Sequence, residues 1–62
     1  MNKPKVLIVD DEPDIVGFIG RILAAEGFQV LTAYDGINAV DMVEAERPDV
    51  ILLDIMMPMV SG

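Results

Sequence analysis

Two kinds of hydrophobic pattern alternate along the 62 residues. Residues 6–9 and 50–53 are continuous apolar runs rich in β-branched side chains, which are typical of strands buried on both faces of a parallel sheet. Residues 28–32 alternate weakly between apolar and polar side chains and predict another strand. Residues 14–26 and 37–46 instead repeat apolar side chains every three or four positions, as amphipathic helices do. The pattern therefore predicts the element order β-α-β-α-β.

Each predicted helix carries an apolar face and has recognisable ends. The first helix has an apolar face of five residues: Ile15, Phe18, Ile19, Ile22 and Leu23. The second has an inner face marked by four residues: Ile37, Ala39, Val40 and Val43. Pro13 suits the first turn of the first helix, Gly27 is a typical signal just after its end, and Pro48 stops the second helix. Asp35 is interpreted as a turn residue before the second helix.

The helical connections determine how the three strands are arranged. Strands joined by crossover helices lie parallel, and such crossovers are right-handed in nearly all proteins. If the first strand is central, the chain passes to one neighbour and then back to the other, which places the two helices on opposite faces. The sequence therefore predicts an α/β fold with a doubly wound parallel sheet in the strand order 2-1-3.

Acidic residues end the first and third strands of this predicted sheet. Asp10 and Asp11 follow the first strand, and Asp54 follows the third. Open α/β sheets bind ligands at the carboxyl ends of strands where the strand order changes direction, which is here between those two strands. Taken singly, each acid is more simply a solvated loop residue or a helix cap. Together, on adjacent strand ends, the three acids favour a common site.

The residue types at this predicted site indicate its chemistry. Three converging carboxylates form an all-oxygen site that suits a hard divalent cation such as Mg²⁺, Mn²⁺ or Ca²⁺. An aspartate can also attack phosphorus as a nucleophile and form an acyl phosphate. The acids therefore indicate metal-assisted phosphoryl transfer to an aspartate.

Composition and charge narrow the function classes. The sequence is 53% hydrophobic and carries a net charge of −7 from 11 acids and 4 bases, with no cysteine and no histidine. Direct nucleic-acid binding requires a basic surface and is therefore not expected. The acidic charge instead favours binding of a cation or of a partner with a basic surface. Disulfides, thiolate metal sites and histidine general bases are excluded. No segment has the roughly 20 apolar residues of a membrane span, so we expect a cytoplasmic protein without a membrane partner.

The segments around these acids resemble those of two-component receiver domains, the CheY-like family. Residues 6–12 read Val-Leu-Ile-Val-Asp-Asp-Glu, as in the opening strand of that family. Residues 47–58 read Arg-Pro-Asp-Val-Ile-Leu-Leu-Asp-Ile-Met-Met-Pro, as in its phosphorylation segment. Glu-Gly-Phe-Gln-Val at 26–30 and Ala-Tyr-Asp-Gly at 33–36 also match. The resemblance covers essentially the whole chain and implies half of a flavodoxin-like fold, with residues 1–62 as a truncated receiver domain.

The resemblance also implies roles for individual residues. Asp54 would be the phosphoacceptor and a metal ligand, and would take its phosphoryl group from the phosphohistidine of a histidine kinase or phosphotransfer protein. Asp11 would bind Mg²⁺ directly, Asp10 would hold it mainly through water, and Met56 would offer its backbone carbonyl. Such a domain is a signalling module rather than an enzyme, and it loses its phosphoryl group by slow hydrolysis.

The sequence departs from the family where a complete receiver continues. Two further strands and three further helices would carry a hydroxyl residue, a lysine and an aromatic switch. Lys3 and Lys5 cannot replace that lysine within one chain, because they lie at the opposite end of the first strand from the acids. The third strand is then a sheet edge, so we expect either a homo-oligomer formed through it or a missing C-terminal half. A self-associating half-domain with vestigial or no phosphotransfer is the alternative function. A haloacid-dehalogenase-type phosphohydrolase ranks last, because Asp54-Ile55-Met56 lacks the second acid of its motif.

Overall fold

The computed structural model describes residues 3–53. They form three strands and two helices. The elements are β1 (Lys5–Val9), α1 (Pro13–Ala25), β2 (Gln29–Ala33), α2 (Gly36–Glu46) and β3 (Val50–Leu53). This order confirms the predicted β-α-β-α-β pattern, and every boundary lies within one residue of the predicted one.

The three strands form one parallel sheet in the order β2-β1-β3. β1 pairs with β2 along its whole length. Residues 6–9 of β1 pair with β3, ending with Val9 beside Leu53. The predicted strand order and α/β class are therefore confirmed, and the arrangement is half of a flavodoxin-like fold. The central position of β1 accounts for its continuous apolar run, because both of its faces are covered.

The two helices cover opposite faces of β1. On one face, α2 packs over Leu7 and Val9, in a cluster that includes five further residues: Leu31, Ala33, Ala39, Met42 and Val43. On the other face, α1 comes close to the sheet at Gly20, where an added Cβ would lie 3.5 Å from Cγ1 of Val30 and 4.0 Å from Cδ1 of Ile8. The core therefore lies around β1, whose residues 6–9 are all buried.

The apolar residues of α1 span a wider arc than one packing face. Val16 is 2% exposed, and Ile19 and Leu23 are half-buried. Three other residues of the predicted face are exposed: Ile15, Phe18 and Ile22. Spacing by three and four identifies an apolar arc but does not determine which flank of the arc meets the sheet. Of the five residues of the predicted apolar face, Ile19 and Leu23 are therefore the two that are partly buried.

The inner face of α2 also differs from the prediction. Ile37 is 79% exposed, and Val40 is exposed as well. The residues that pack on the core are instead Ala39, Met42 and Val43. This helix has apolar residues on two neighbouring stripes of its surface. The stripe that contains Met42 is the one that packs against Leu7 and Val9. The predicted burial of Ile37 and Val40 was wrong.

β3 has the composition of a buried strand but is exposed. Its four residues are each between 39% and 50% exposed, and neither α1 nor α2 lies over them. Within residues 3–53, β3 is therefore not buried on both faces as its composition suggests, and it lies at an edge of the described sheet, as the predicted strand order requires. An apolar side chain is more stable when it is buried, but it becomes buried only where a neighbouring element covers it.

Asp35 caps α2 and does not merely occupy a turn. Its Oδ1 accepts a hydrogen bond from the backbone N–H of Asn38 at 2.7 Å, and its Oδ2 accepts one from Nδ2 of Asn38 at 3.0 Å. The first bond satisfies one of the backbone donors that every helix leaves free at its N-terminus.

We expect Asp35→Ala to lower the free energy of unfolding by about 1 kcal/mol, the typical loss when an N-cap acid is removed. Urea unfolding followed by circular dichroism measures this loss. The matched control is Asp41→Ala, which removes an exposed acid from the same helix. The control should change stability by less than about 0.5 kcal/mol. Equal losses in the two variants would show that the cap contributes nothing specific.

The start of β1 is tied to the end of α2. Lys5 Nζ donates to the carbonyl oxygen of Glu46 at 3.0 Å and lies 3.4 Å from its Oε1. The backbone N–H of Lys5 donates to Oδ2 of Asp49 at 2.8 Å, and the N–H of Asp49 donates to the carbonyl of Lys5 at 2.9 Å. Lys5 therefore lies at the amino end of the sheet, opposite the end that Asp10 follows, as predicted.

Candidate functional site

Asp10 and Asp11 directly follow β1 at the carboxyl end of the sheet. Asp10 is 5% exposed, and its backbone N–H donates to the carbonyl of Ala33 at 3.1 Å, which extends the β1–β2 ladder by one residue. Its Oδ1 accepts a hydrogen bond from the backbone N–H of Glu12 at 3.0 Å. Asp11 is exposed. The carboxylate of Asp10 is therefore held in place, whereas that of Asp11 is open to solvent.

α1 begins immediately after these acids. Pro13 is its first residue, as predicted, and Glu12 is the N-cap residue, whose own side chain makes no capping hydrogen bond. The bond from Glu12 N–H to Asp10 was missed at the sequence level, although an aspartate side chain commonly accepts the backbone N–H two residues further along the chain. The positive end of the α1 dipole therefore lies beside Asp10 and Asp11, where it attracts negative charge.

A groove of about 550 Å³ opens between α1 and β3 at this end of the sheet. Asp10 and Glu12 form its polar part. Its apolar lining consists of six residues: Ile8, Val9, Ile15, Ile19, Leu52 and Leu53. The groove lies where β1 and β3 adjoin, which is the point at which the strand order changes direction and where such sheets bind ligands.

The structure brings together part of the predicted constellation. Asp10 and Asp11 lie at the predicted strand end, while Asp54 and Met56 lie outside the described residues. Within residues 3–53, no group of three or more acidic, histidine or cysteine side chains is close enough to hold a metal ion. The three-carboxylate site therefore remains a prediction, because its third member is Asp54.

Basic side chains lie away from these acids. Lys3, Lys5 and Arg47 line a depression at the amino end of the sheet. Between residues 3 and 53, the pair of Lys5 with Glu46 is the one salt bridge. The acids after β1 therefore have no cationic partner in the part of the chain that the structure describes. In that same part, neither helix is long and apolar enough to cross a membrane.

The sequence matches the family model of the response regulator receiver domain over residues 6–62. The chain belongs to this family. The match begins within β1 and includes the segment 47–58, on which the resemblance to receiver domains was based. Membership confirms that resemblance and disfavours the haloacid-dehalogenase-type alternative.

Curated relatives are similar over the full chain. It is 44% identical over 62 residues to transcriptional regulatory protein PrrA of Mycobacterium bovis and of Mycobacterium tuberculosis. It is 47% identical over 62 residues to the alkaline phosphatase synthesis transcriptional regulatory protein PhoP of Bacillus subtilis. The chain spans 27% of the length of the PrrA proteins and 25% of that of PhoP.

Proposed function

We propose that this receiver domain is the phosphoacceptor of a two-component phosphorelay and that Asp54 receives the phosphoryl group. Asp54 directly follows Leu53 in the sequence. Leu53 pairs with Val9 in parallel register, and a continuation of that register by one residue would place Asp54 beside Asp10. Neighbouring strands lie about 4.8 Å apart. This register is the observation that carries the proposal, since it supports a shared carboxylate site.

The proposed donor is the phosphohistidine of a histidine kinase or phosphotransfer protein. A carboxylate oxygen of Asp54 attacks phosphorus and forms a P–O bond while the P–N bond to the imidazole breaks. The imidazole nitrogen leaves with the bonding electron pair and remains in the donor. Hydrolysis of the acyl phosphate later returns Asp54 to its carboxylate. The domain acts as a signalling module in this scheme, because its own aspartate is the group that is modified.

The donor set after β1 fits Mg²⁺, a hard cation that favours carboxylate and carbonyl oxygens. We assign direct binding to Asp11, whose carboxylate is exposed. Asp10 acts mainly through water, because its Oδ1 already accepts the Glu12 N–H. Asp54 and the backbone carbonyl of Met56 complete the proposed set. When bound, Mg²⁺ supplies positive charge for the phosphoryl oxygens.

Millimolar Mg²⁺ is expected to shift the amide resonances of residues 10–12, because they surround the proposed ligands. A ¹H–¹⁵N NMR titration measures the shifts and the affinity. Asp11→Asn should weaken binding at least about tenfold, the lower range seen when a metal site loses a supporting group. Asp14→Asn removes an exposed acid from the first turn of α1 and is the matched control. Unchanged affinity in Asp11→Asn would contradict the assignment.

The charge of the chain also bears on its partners and location. A net charge of −7 opposes binding to a phosphate backbone, so we propose no direct contact of these residues with nucleic acid. PrrA and PhoP are named as transcriptional regulators and are much longer than this chain. In a parent protein of that kind, DNA contacts would lie outside residues 1–62. We place the domain in the cytoplasm, where it would meet its kinase.

A specific observation favours one alternative function, that of a self-associating half-domain with vestigial or no phosphotransfer. β3 is apolar and exposed along its whole length. Phosphoryl labelling of Asp54 separates the two candidates, because a vestigial domain would assemble without accepting the group. Assembly by itself contradicts neither function.

A further inference from the structure

The turn between β1 and α1 is three residues long, and both of its ends are anchored. At its first residue, the backbone N–H of Asp10 donates to the carbonyl of Ala33 at 3.1 Å, and the Asp10 side chain is buried. At its last residue, the carbonyl of Glu12 accepts the N–H of Val16 at 3.1 Å, and Val16 is itself buried. Asp11 is the residue that lies between these two anchored ends.

One hydrogen bond closes this turn across Asp11. The backbone N–H of Glu12 donates to Oδ1 of Asp10 at 3.0 Å. A side-chain oxygen that accepts the N–H two residues further along mimics a backbone turn, and it restricts the dihedral angles of the residue in between. Here that residue is Asp11, whose own carboxylate is exposed. The conformation of Asp11 therefore depends on a bond that its neighbour makes.

We propose that Asp10 is a positioning residue for Asp11. By holding the Glu12 N–H, its carboxylate fixes the backbone at residue 11 and so restricts where the Asp11 carboxylate lies. The consequence for metal binding rests on the proposed function, in which Asp11 binds Mg²⁺ directly. A ligand that is held in place before the metal arrives loses less conformational freedom on binding, so the bond from Glu12 to Asp10 raises the Mg²⁺ affinity.

A role of Asp10 by charge alone makes a different prediction, and a pair of substitutions separates the two. Asp10→Asn and Asp10→Leu both remove the charge, and both side chains branch at Cγ. Only asparagine keeps an oxygen that accepts the Glu12 N–H. A difference between these two variants therefore reports the hydrogen bond and not the charge. Asp10→Ala repeats the comparison if the bulkier leucine unfolds the chain at this buried position.

The first measurement uses the metal-free chain. We expect the Glu12 amide to exchange with deuterated water up to about tenfold faster in Asp10→Leu than in Asp10→Asn, as the modest net strength of one hydrogen bond allows. The coupling between the amide and α protons of Asp11, which reports its φ angle, should change in Asp10→Leu alone. Equal exchange and equal couplings in the two variants would overturn the proposal, whether or not the chain binds Mg²⁺.

The second measurement is a Mg²⁺ titration of the same variants, followed by the amide resonances. Both should bind more weakly than the unsubstituted chain, because both lose a charge. Asp10→Leu should bind about tenfold more weakly than Asp10→Asn, as is typical when a group that orients a metal ligand is lost. Equal affinities would show an effect of charge alone and overturn the proposal. Absence of binding by the unsubstituted chain would instead overturn the metal site, and the exchange data would still decide whether Asp10 positions Asp11.

The matched control is the same pair of substitutions at Asp35. Its Oδ1 accepts the backbone N–H of Asn38 at 2.7 Å, which is a comparable bond at the start of the other helix. Asp35→Leu should be less stable than Asp35→Asn, because it loses this bond. The two Asp35 variants should nevertheless bind Mg²⁺ equally. A difference between them as large as that at Asp10 would show that affinity follows general stability, and it would overturn the proposal.

Discussion

Replacing Asp54 with asparagine is expected to abolish phosphoryl labelling of the chain by a phosphorylated histidine kinase. The substitution keeps the size of the side chain but removes the carboxylate oxygen that would attack phosphorus. Any label on the unsubstituted chain should be sensitive to hydroxylamine, as expected of an acyl phosphate. Label retained on Asp54→Asn would place the acceptor elsewhere.

The matched control for that experiment is Asp41→Asn. Asp41 is an exposed acid of α2, and the same chemical change is made there. We expect it to be labelled like the unsubstituted chain. Labelling should be followed over long times, because the lysines of the chain, Lys3 and Lys5, line the opposite end of the sheet. A lysine fixed beside the phosphoryl oxygens would stabilise the negative charge that develops on them during transfer. Losing such a preorganised charge typically lowers the rate by a factor on the order of 10² to 10³.

The order and topology of the elements could be predicted because the local hydrophobic patterns and the rules for connecting parallel strands lead to the same arrangement. The run Val-Leu-Ile-Val in β1 indicates a strand covered on both faces, and the structure buries all four residues. Two crossovers with a central first strand leave one arrangement of the three strands, and the sheet has it. Pro13, Gly27 and Pro48 then define the helix ends by backbone geometry alone, which does not depend on tertiary packing.

The burial of individual side chains was predicted less well than the order of the elements, because burial depends on which element packs beside each side chain. In α1, Phe18 is exposed while Val16 is buried, and in α2, Ile37 is exposed while Met42 packs on the core. A helix with a broad apolar arc can turn either flank to the sheet, and its periodicity is the same in both cases. β3 shows the same limit, since its side chains are apolar but no described helix covers them.

The candidate site was predictable in part. Strand ends and strand order place Asp10 and Asp11 at the carboxyl edge, and the structure agrees. What the sequence did not separate was the different environments of these two neighbouring acids. Asp10 is buried and bonded to the Glu12 N–H, while Asp11 is exposed. That difference arises from the turn into α1 and supports unequal roles for the two carboxylates.

Stability tests of the core require a control against general effects of truncating an apolar side chain. Ile37→Ala is suitable, because it shortens a large apolar residue that is 79% exposed. Its effect on the free energy of unfolding should stay within about 0.5 kcal/mol. All variants should be compared at one protein concentration, because association would make stability depend on concentration.

Leu7→Ala is expected to unfold most of the chain at room temperature. Leu7 is 0% exposed, lies in the central strand and packs with Val9 and Ala33 under α2. Removing a buried leucine side chain typically costs about 2–5 kcal/mol, because transfer energy is lost and a cavity remains. A single core of this size rarely supplies more than about 3–5 kcal/mol in total. Circular dichroism and urea titration measure the loss, and a Leu7→Ala protein as stable as Ile37→Ala would show that the core does not lie at β1.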